Sequence, residues 1–350
     1  MKKSFVILAS AVILAGCNSI GSHLPKSTEY RTEDPAVDSM LQSIRLIWAT
    51  SELNSIMVVK DGKKILEYYD CCYGPDFMNI CWSASKTFTA TAVGFAVQEG
   101  LLDVKGRLVD YLKPEQLPRD VSDTLAGLTL YDLLRMSSGL KTDPIGQTSC
   151  GKLKTPALTV LESGFENMPG EKYRYNSMNT YLLGVAVSNV TGMALEDYLN
   201  EKLFKPLDIR KYHWDKSAEG YNTGGWGLYL PTESMAKMGI FMLNRGVWNG
   251  KRLLNDEWFD EATKVQIRQY HGKGYSEEKI ASLQGNESNM GYGYQVWMNS
   301  VGGYRLDGAH GQFVMVLPEH NAVIVLTGNV GNTGPEMEAI WQYLLPLVEE

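Results

Sequence analysis

The sequence predicts an α+β fold, in which one antiparallel sheet is flanked by helices and interrupted by a mainly helical region. Strand patterns lie near the two ends of the 350-residue chain, at residues 55–69 and 292–327. From about residue 87 to residue 245, apolar residues recur instead at helical spacing. Strands from both ends complete one hydrophobic core most simply when they join one sheet. We therefore expect the N- and C-terminal strands to pair and the helical residues to form an inserted region.

The predicted strands follow from short apolar runs bounded by turn residues. Residues 55–60 are apolar, Asp61 and Gly62 form a strong turn signal, and residues 65–69 return antiparallel as a hairpin. The C-terminal strands are expected at 292–298, 304–306, 313–317 and 322–327, with a turn at 318–321.

The predicted helices are apolar-periodic runs that end at glycine or proline. They are expected at 86–98, 130–135, 179–190, 195–204, 232–244 and, after the last strand, at about 335–348. The helix at 86–98 is the most strongly apolar of these, and Gly100 closes it.

Composition limits the classes of function. The chain is 44% hydrophobic and 21% charged, which is ordinary for a globular protein with a large core. We expect one domain, or two intimate subdomains, at 41–350. The net charge of −7 and the absence of a basic block in the sequence argue against nucleic acid as a partner. The five histidines are scattered, and neither His-Glu-x-x-His nor Cys-x-x-Cys occurs, so we expect no metal and no cofactor.

The N-terminus resembles a bacterial lipoprotein signal peptide. Residues 4–15 are mostly apolar, follow two lysines, and are too few to span a bilayer. They lead into a Leu-Ala-Gly-Cys box that ends at Cys17. The resemblance implies that residues 1–16 are removed, that Cys17 is lipidated, and that residues 17–40 tether the domain to the membrane. The alternative is an ordinary signal peptide with an incidental cysteine.

This N-terminus also predicts a location. A lipidated chain would be anchored in the bacterial cell envelope and would face the periplasm. Asn18 follows the cysteine, where an aspartate is associated with retention in the inner membrane, so the outer membrane is the expected site.

The strongest chemical signal is the pair Ser83 and Lys86. Three residues apart at a helix start, the two side chains share one face of the helix. A serine hydroxyl becomes a strong nucleophile when a neighbouring base takes its proton, and a lysine one turn away can be that base. The pair therefore predicts acyl transfer, against the alternative of an ordinary serine-rich helix start.

The same Ser-x-x-Lys spelling occurs four more times, and context separates these copies from the first. Only Ser83 precedes a long apolar helix. The other copies fall in a turn, a loop, an amphipathic helix and a charged run, respectively Ser138/Lys141, Ser149/Lys152, Ser234/Lys237 and Ser276/Lys279.

Two further segments supply candidate partners for Ser83. Tyr175 precedes a predicted helix, and its phenol could act as a base if a neighbouring ammonium lowers its pKa. Gly308 lies in a glycine-rich strand start and permits close approach of another backbone. Taken alone, such a tyrosine is usually structural and such a glycine usually marks a bend.

The order of these segments resembles the penicillin-recognising serine hydrolases, and within them the class C β-lactamase-related group. Several shorter sequence motifs also match, and they extend the resemblance over about residues 45–345. They are Thr129–Leu140, Pro169-Gly170, Thr191-Gly192, Pro206-Leu207, Gly225–Leu228, Asn244–Gly246 and Gly291–Tyr294. The branch closest in look contains 6-aminohexanoate-dimer hydrolases and esterases. The resemblance implies a β-lactamase/transpeptidase-like fold.

The resemblance also implies a role for each site residue. Ser83 would form an acyl-enzyme, with Lys86 and Tyr175 as the proton-transfer pair and Tyr175 as the general base of acylation. Backbone N–H groups of Ser83 and of Ala309, which follows Gly308, would form the oxyanion hole.

Two departures from the classical pattern point away from β-lactams. The tyrosine motif reads Tyr175-Asn176-Ser177, so its asparagine is not in the third place. The third motif of the classical enzymes is Lys-Thr-Gly or His-x-Gly, and its glycine here can be Gly308 or the later Gly311. Neither register supplies a lysine, and His310 takes the cationic place only in the second. A substrate carboxylate therefore has no obvious partner.

The departures favour a hydrolase that cleaves small ester, amide or peptide-like substrates. Two alternatives remain open. One is a β-lactamase or DD-peptidase that acts on cell-wall-like substrates, and the other is a catalytically silent envelope binding protein on the same fold. An α/β-hydrolase is disfavoured because the sequence contains no Gly-x-Ser-x-Gly elbow.

Overall fold

The computed structural model describes residues 23–47, 52–70, 72–331 and 333–349. Its strands are β1 (Lys26–Arg31), β2 (Glu52–Lys60), β3 (Lys63–Tyr69), β4 (Asn79–Ile80), β5 (His213–Trp214), β6 (Leu228–Leu230), β7 (Val247–Trp248), β8 (Lys251–Arg252), β9 (Trp297–Met298), β10 (Tyr304–Gly308), β11 (Gln312–Leu317) and β12 (Ala322–Asn329). The predicted signal peptide 1–16 and the lipidation at Cys17 lie outside the described residues and stay predictions.

Most of the helices lie between β3 and β9. They are α1 (Pro35–Ile47), α2 (Ser85–Gln98), α3 (Asp123–Ala126), α4 (Leu130–Leu134), α5 (Ile145–Ser149), α6 (Pro156–Glu162), α7 (Ser177–Thr191), α8 (Leu195–Leu199), α9 (Thr232–Leu243), α10 (Asp256–Ala262), α11 (Glu277–Leu283), α12 (Thr333–Ala339) and α13 (Pro346–Glu349). Short 3₁₀ turns occur between them, and π-helical turns at Asn200–Phe204 and Ile340–Leu344 continue α8 and α12. No helix in these described ranges has both the length and the apolar content to cross a membrane.

The central sheet joins the two ends of the chain, which confirms the predicted fold class. Its strand order is β1-β3-β2-β12-β11-β10-β9. The N-terminal hairpin β2–β3 meets the C-terminal strands where β2 pairs antiparallel with β12, for example Ile56 with Leu326. One pairing differs from the prediction: β1 runs parallel to β3, so the sheet is mixed.

The predicted strand at 292–298 is wrong over most of its length. Only Trp297–Met298 is a strand, because the chain reverses at Gln295, whose φ of 61° is left-handed. The reversal brings Tyr292 and Trp297 opposite each other as an antiparallel bridge. Alternating aromatic residues in this segment therefore line a turn and not a strand.

The sheet separates two layers of core. On one face, alternate residues of β11 and β12, such as Val314 and Val323, pack in the large core shared with α2 and α9. On the other face, Phe313 and Ile324 pack with α1 and the C-terminal helices. The inserted helix α2 is buried from Ser85 to Ala96, and this buried stretch includes polar residues as well as apolar ones.

Part of the segment predicted as a tether, 17–40, packs on the domain. Leu24 is buried, and its backbone N–H donates to Glu233 at 2.7 Å. Strand β1 follows and adds itself to the sheet edge beside β3. Glu233 also accepts from the buried Lys64 at 2.9 Å, so the N-terminal segment covers a buried ion pair.

Candidate active site

Ser83 lies in a 3₁₀ turn, Trp82–Ala84, that leads directly into α2. The turn is held from both sides: the Ser85 hydroxyl donates to Trp82 O at 2.6 Å and accepts from Leu228 N at 3.3 Å. Trp82 has a φ of 46°, a strained conformation for a residue with a side chain. Strand β6 therefore fixes the half-buried Ser83 at the start of the helix.

Lys86 places its ammonium group directly at Ser83. Its Nζ lies 3.0 Å from Ser83 Oγ, 3.2 Å from Ser177 Oγ and 2.7 Å from the carbonyl oxygen of Gly225. The side chain is only 1% exposed. Burial lowers the pKa of Lys86 to about 7, and the negative charge of Asp143 limits the fall. A lysine of this kind exchanges protons at neutral pH.

Tyr175 completes the group of three predicted catalytic side chains. Its hydroxyl hydrogen-bonds with Ser83, and its ring centre lies 5.0 Å from Lys86 Nζ. The Tyr175 ring packs edge-on against Tyr292 at 6.2 Å and tilted against Trp297 at 5.6 Å. The structure thus brings together the three residues that the sequence singled out.

The pKa of Tyr175 moves in the direction opposite to the one that a general base needs. Burial raises it above the usual value for a phenol, and the hydrogen bond with Ser83 opposes this rise only in part. At neutral pH Tyr175 is a neutral phenol, which donates a hydrogen bond or relays a proton. The lowered pKa favours Lys86 over Tyr175 as the base, whereas the resemblance implied Tyr175 as the general base of acylation.

Gly308 brings the end of β10 against the Ser83 turn. A Cβ at Gly308 would lie 2.3 Å from the carbonyl oxygen of Cys81 and 3.3 Å from Ala84 N, so only glycine fits. Gly311, in contrast, faces the carboxyl group of Glu336 on α12. The contact favours the third-motif register through Gly308, which puts Ala309 beside the nucleophile turn.

We expect Gly308→Ala to separate β10 from the Ser83 turn. The added methyl would meet backbone atoms that cannot rotate away, which typically costs about 1–3 kcal/mol of folding free energy. Hydrolytic activity should fall about tenfold or more, because catalytic geometry is sensitive to shifts of about 1 Å. Gly74→Ala is the matched control, since a Cβ there meets nothing within 4 Å. Equal activity in the two variants would contradict the close approach.

His310 is exposed in the turn after β10 and lies beside the turn that carries Ser83. Its ring lies 5.4 Å from that of Trp82, and its Nδ1 is 3.2 Å from the carbonyl oxygen of Val330. With the register through Gly308, His310 is not at the position of the classical cation. It packs instead against the ring of Trp82, the residue before Ser83.

Three contributors to the site were missed at the sequence level. Ser177 and the carbonyl group of Gly225 hold Lys86 Nζ, and Asp143 accepts from Ser177 N at 3.0 Å. For Ser177 a signal existed, because it stands in the third place of the tyrosine motif, where the family has asparagine. A backbone carbonyl and a lone loop aspartate leave no comparable pattern in the sequence.

Two of the other Ser-x-x-Lys copies have structural roles. The Ser138 hydroxyl donates to Asn179 Oδ1 at 2.7 Å inside the protein, and the Ser276 hydroxyl caps α11 by accepting from Lys279 N at 3.2 Å. Both contacts agree with the prediction, made from helix context, that these copies are not the catalytic pair.

Comparison with known proteins shows the family of this chain. The profile of the Beta-lactamase family matches residues 54–349. A 6-aminohexanoate-dimer hydrolase from Paenarthrobacter ureafaciens is 26% identical over 296 residues, covering 78% of this chain and 71% of that protein.

Solved structures share the fold. An octameric penicillin-binding protein homologue from Pyrococcus abyssi superposes with a TM-score of 0.68 at 18% identity, covering 89% of this chain and 76% of that one. A D-stereospecific amidohydrolase from Streptomyces sp. superposes with a TM-score of 0.65 at 17% identity, covering 86% of this chain and 97% of that one. With the family match over residues 54–349, the chain belongs to the Beta-lactamase family of hydrolases and has the β-lactamase/transpeptidase-like fold.

Proposed function

We propose that this protein is a serine hydrolase that cleaves small ester or amide bonds through an acyl-enzyme on Ser83. One observation carries the proposal: a fully buried lysine with a pKa of about 7 lies 3.0 Å from the hydroxyl oxygen of a half-buried serine. Burying a charged amine without an ionic partner destabilises the fold, and perturbed pKa values concentrate at catalytic sites.

In the proposed acylation step, the free amine of Lys86 takes the proton of Ser83 as Oγ bonds to the substrate carbonyl carbon. The N–H groups of Ser83 and Ala309 bind the resulting oxyanion. The bond to the leaving group then breaks. The Tyr175 hydroxyl gives its proton to the leaving group and regains one from Lys86, which restores the amine.

Deacylation reverses this route with water in the place of the leaving group. Water gives a proton through Tyr175 to Lys86 while its oxygen bonds to the acyl carbon. The bond between that carbon and Ser83 Oγ breaks, and Oγ regains a proton from Lys86. The net reaction consumes one water and leaves Ser83 and Lys86 as they began.

The third motif supports substrates that lack a carboxylate beside the scissile bond. Leu306, in the place of the classical lysine, is 1% exposed and packs in the core. The nearby guanidinium group of Arg305 is buried and already pairs with Asp307 and Glu287. Neither residue offers a free cation to a β-lactam or to a terminal D-alanine. The relative named as a 6-aminohexanoate-dimer hydrolase supports an amide bond as one target.

A panel of substrates tests the proposal. We expect turnover of a p-nitrophenyl ester, a D-amino-acid amide or the linear 6-aminohexanoate dimer. Nitrocefin and a D-Ala-D-Ala peptide should react at least about 10–100-fold more slowly in kcat/KM, the usual effect of a missing charged hydrogen bond. Faster turnover of nitrocefin or of the peptide would favour the β-lactamase or DD-peptidase alternative. No turnover together with no labelling of Ser83 by a fluorophosphonate would favour the silent binding protein.

A further inference from the structure

Gln295 occupies an unusual position between three helices. It is 2% exposed and has a left-handed φ of 61°, which is costly for a residue with a side chain. Strain of this kind persists only where the surroundings hold it in place. The hydrogen bonds of Gln295 show what holds it.

Every polar group of the Gln295 side chain is used. Its amide Nε2 donates to Leu133 O at 3.1 Å and to Leu134 O at 2.7 Å, which are carbonyl groups at the end of α4. Its Oε1 accepts from the Thr180 hydroxyl of α7 at 2.5 Å. Its backbone carbonyl accepts from the Thr87 hydroxyl of α2 at 2.7 Å. The hydrogen bonds of this one residue thus connect α2, α4 and α7.

Two of these hydrogen bonds, those with Thr87 and Thr180, are made by residues close to the proposed catalytic site. Thr87 follows Lys86 on α2. Thr180 lies one helical turn after Ser177, on the same face of α7. The contact between Lys86 Nζ and Ser177 Oγ, at 3.2 Å, therefore depends on two helices that Gln295 joins.

The hydrogen bonds of Gln295 with the end of α4 also affect the position of Tyr175, through the residues that follow α4. Just beyond the end of α4, the Met136 carbonyl accepts from Arg174 N at 2.8 Å, and the Met136 sulfur accepts from Asn176 N at 3.4 Å. The two neighbours of Tyr175 in the chain are thus anchored to the segment that Gln295 supports. The Gln295 turn also carries Tyr292 and Trp297, the two rings that pack on Tyr175.

We propose that Gln295 is a positioning residue for catalysis, which sets the spacing of Lys86, Ser177 and Tyr175 and keeps water away from Lys86. The inference rests on the proposed function of the site. It goes beyond that function by assigning the geometry of the proton-transfer group to a residue that touches neither substrate nor Ser83.

Gln116 provides a matched comparison. It is also buried, at 5% exposure, and it also uses its whole side chain: Oε1 accepts from Lys113 N and from Asn189 Nδ2, and Nε2 donates to the Tyr221 hydroxyl. Asn189 lies on α7, twelve residues after Ser177, which is about 18 Å along the helix. Gln116→Leu therefore removes a similar set of hydrogen bonds at a distance from the site.

The experiment compares Gln295→Leu with Gln116→Leu. Both should lose stability, measured by thermal unfolding. Only Gln295→Leu should lose about tenfold or more in kcat while KM stays within about twofold, because geometry and not substrate binding changes. The titration of Lys86, followed by the ¹³Cε signal of lysine-labelled protein and assigned with Lys86→Arg, should move to higher pH by about one unit, since admitted water relieves its desolvation. Gln116→Leu should leave the titration unchanged.

The inference fails if the two variants lose the same fraction of kcat, or if the Lys86 midpoint is the same in Gln295→Leu as in the original protein. If Gln295→Leu does not fold, Thr180→Val removes one of its hydrogen bonds alone and should shift the Lys86 midpoint in the same direction by less. Activity that survives Ser83→Ala would refute the proposed function. The Lys86 titration would still decide the role of Gln295 in that case, because it needs no substrate.

Discussion

Ser83→Ala should abolish hydrolysis of a p-nitrophenyl ester, with kcat reduced by about 10³-fold or more, because no other group can form the acyl-enzyme. The fold should be retained. The Ser83 turn is held by the Ser85 hydroxyl and by the pairing of Cys81 N with Leu228 O at 2.7 Å, and the Ser83 side chain does not contribute to either. Steady-state kinetics on folded protein, verified by thermal unfolding, measure the loss.

Ser276→Ala is the control for this prediction. Ser276 heads a second Ser-x-x-Lys spelling, but it only caps an exposed helix, so its loss costs about 1 kcal/mol of stability and no activity. A fluorophosphonate should label the original protein and Ser276→Ala at Ser83, detected by peptide mass, and should not label Ser83→Ala. Undiminished turnover by Ser83→Ala would rule out the acyl-enzyme.

Lys86→Met should lose activity by a similar factor and yet gain stability at neutral pH. Burial lowers the pKa of Lys86 from its usual value near 10.4 to about 7, and each unit of this shift corresponds to about 1.4 kcal/mol. The variant also loses the hydrogen bonds to Ser83, Ser177 and Gly225. Each lost bond reduces the gain in stability by about 1 kcal/mol. The expected net gain is about 1–2 kcal/mol. A residue kept at a cost to stability is typical of catalytic sites.

The sign of the pH dependence follows from proton uptake. Between about pH 7 and 10 the unfolded chain carries a charged Lys86 and the native protein a neutral one, so unfolding binds a proton. The stability of the original protein therefore rises with pH across this window, and the advantage of Lys86→Met shrinks. In the protein that retains Lys86, kcat/KM should rise with pH and reach half of its plateau at about pH 7, where the free amine of Lys86 forms.

Lys64→Met is the matched control, because Lys64 is an equally buried lysine with the opposite pKa shift. Burial lowers the pKa of Lys64, but hydrogen bonds and charges of Glu233 and Glu67 outweigh this and raise it. Removing Lys64 takes away the nearest cation of two buried carboxylates, Glu67 and Glu233, which should cost about 3 kcal/mol. This deficit should stay constant from neutral pH up to the usual lysine pKa of about 10.4 and should shrink from there to the raised pKa of Lys64. Equal signs for the two variants in denaturant unfolding would contradict the assignment of Lys86.

Much of the fold could be predicted because its signals are local. The Asp61-Gly62 turn and the apolar runs beside it indicate a hairpin, and the structure has β2 and β3 in that place. The segment at 292–298 could not be predicted, because alternating aromatic residues suit a strand and a tight turn equally. A left-handed Gln295, whose side chain is held by hydrogen bonds with distant helices, decided between them.

The candidate site divides in the same way. By itself, the sequence determined the Ser83 and Lys86 pair, because a serine and a lysine one helical turn apart need only a helix to meet. It also singled out Tyr175 and Gly308 by their order along the chain. Only the tertiary structure gives the pKa shifts on which the proposed choice of Lys86 as base rests, because a pKa depends on burial and neighbouring charge. Lys86 is enclosed by Ser177 and Gly225, about 90 and 140 residues away in sequence, and these contacts exist only after the chain has folded.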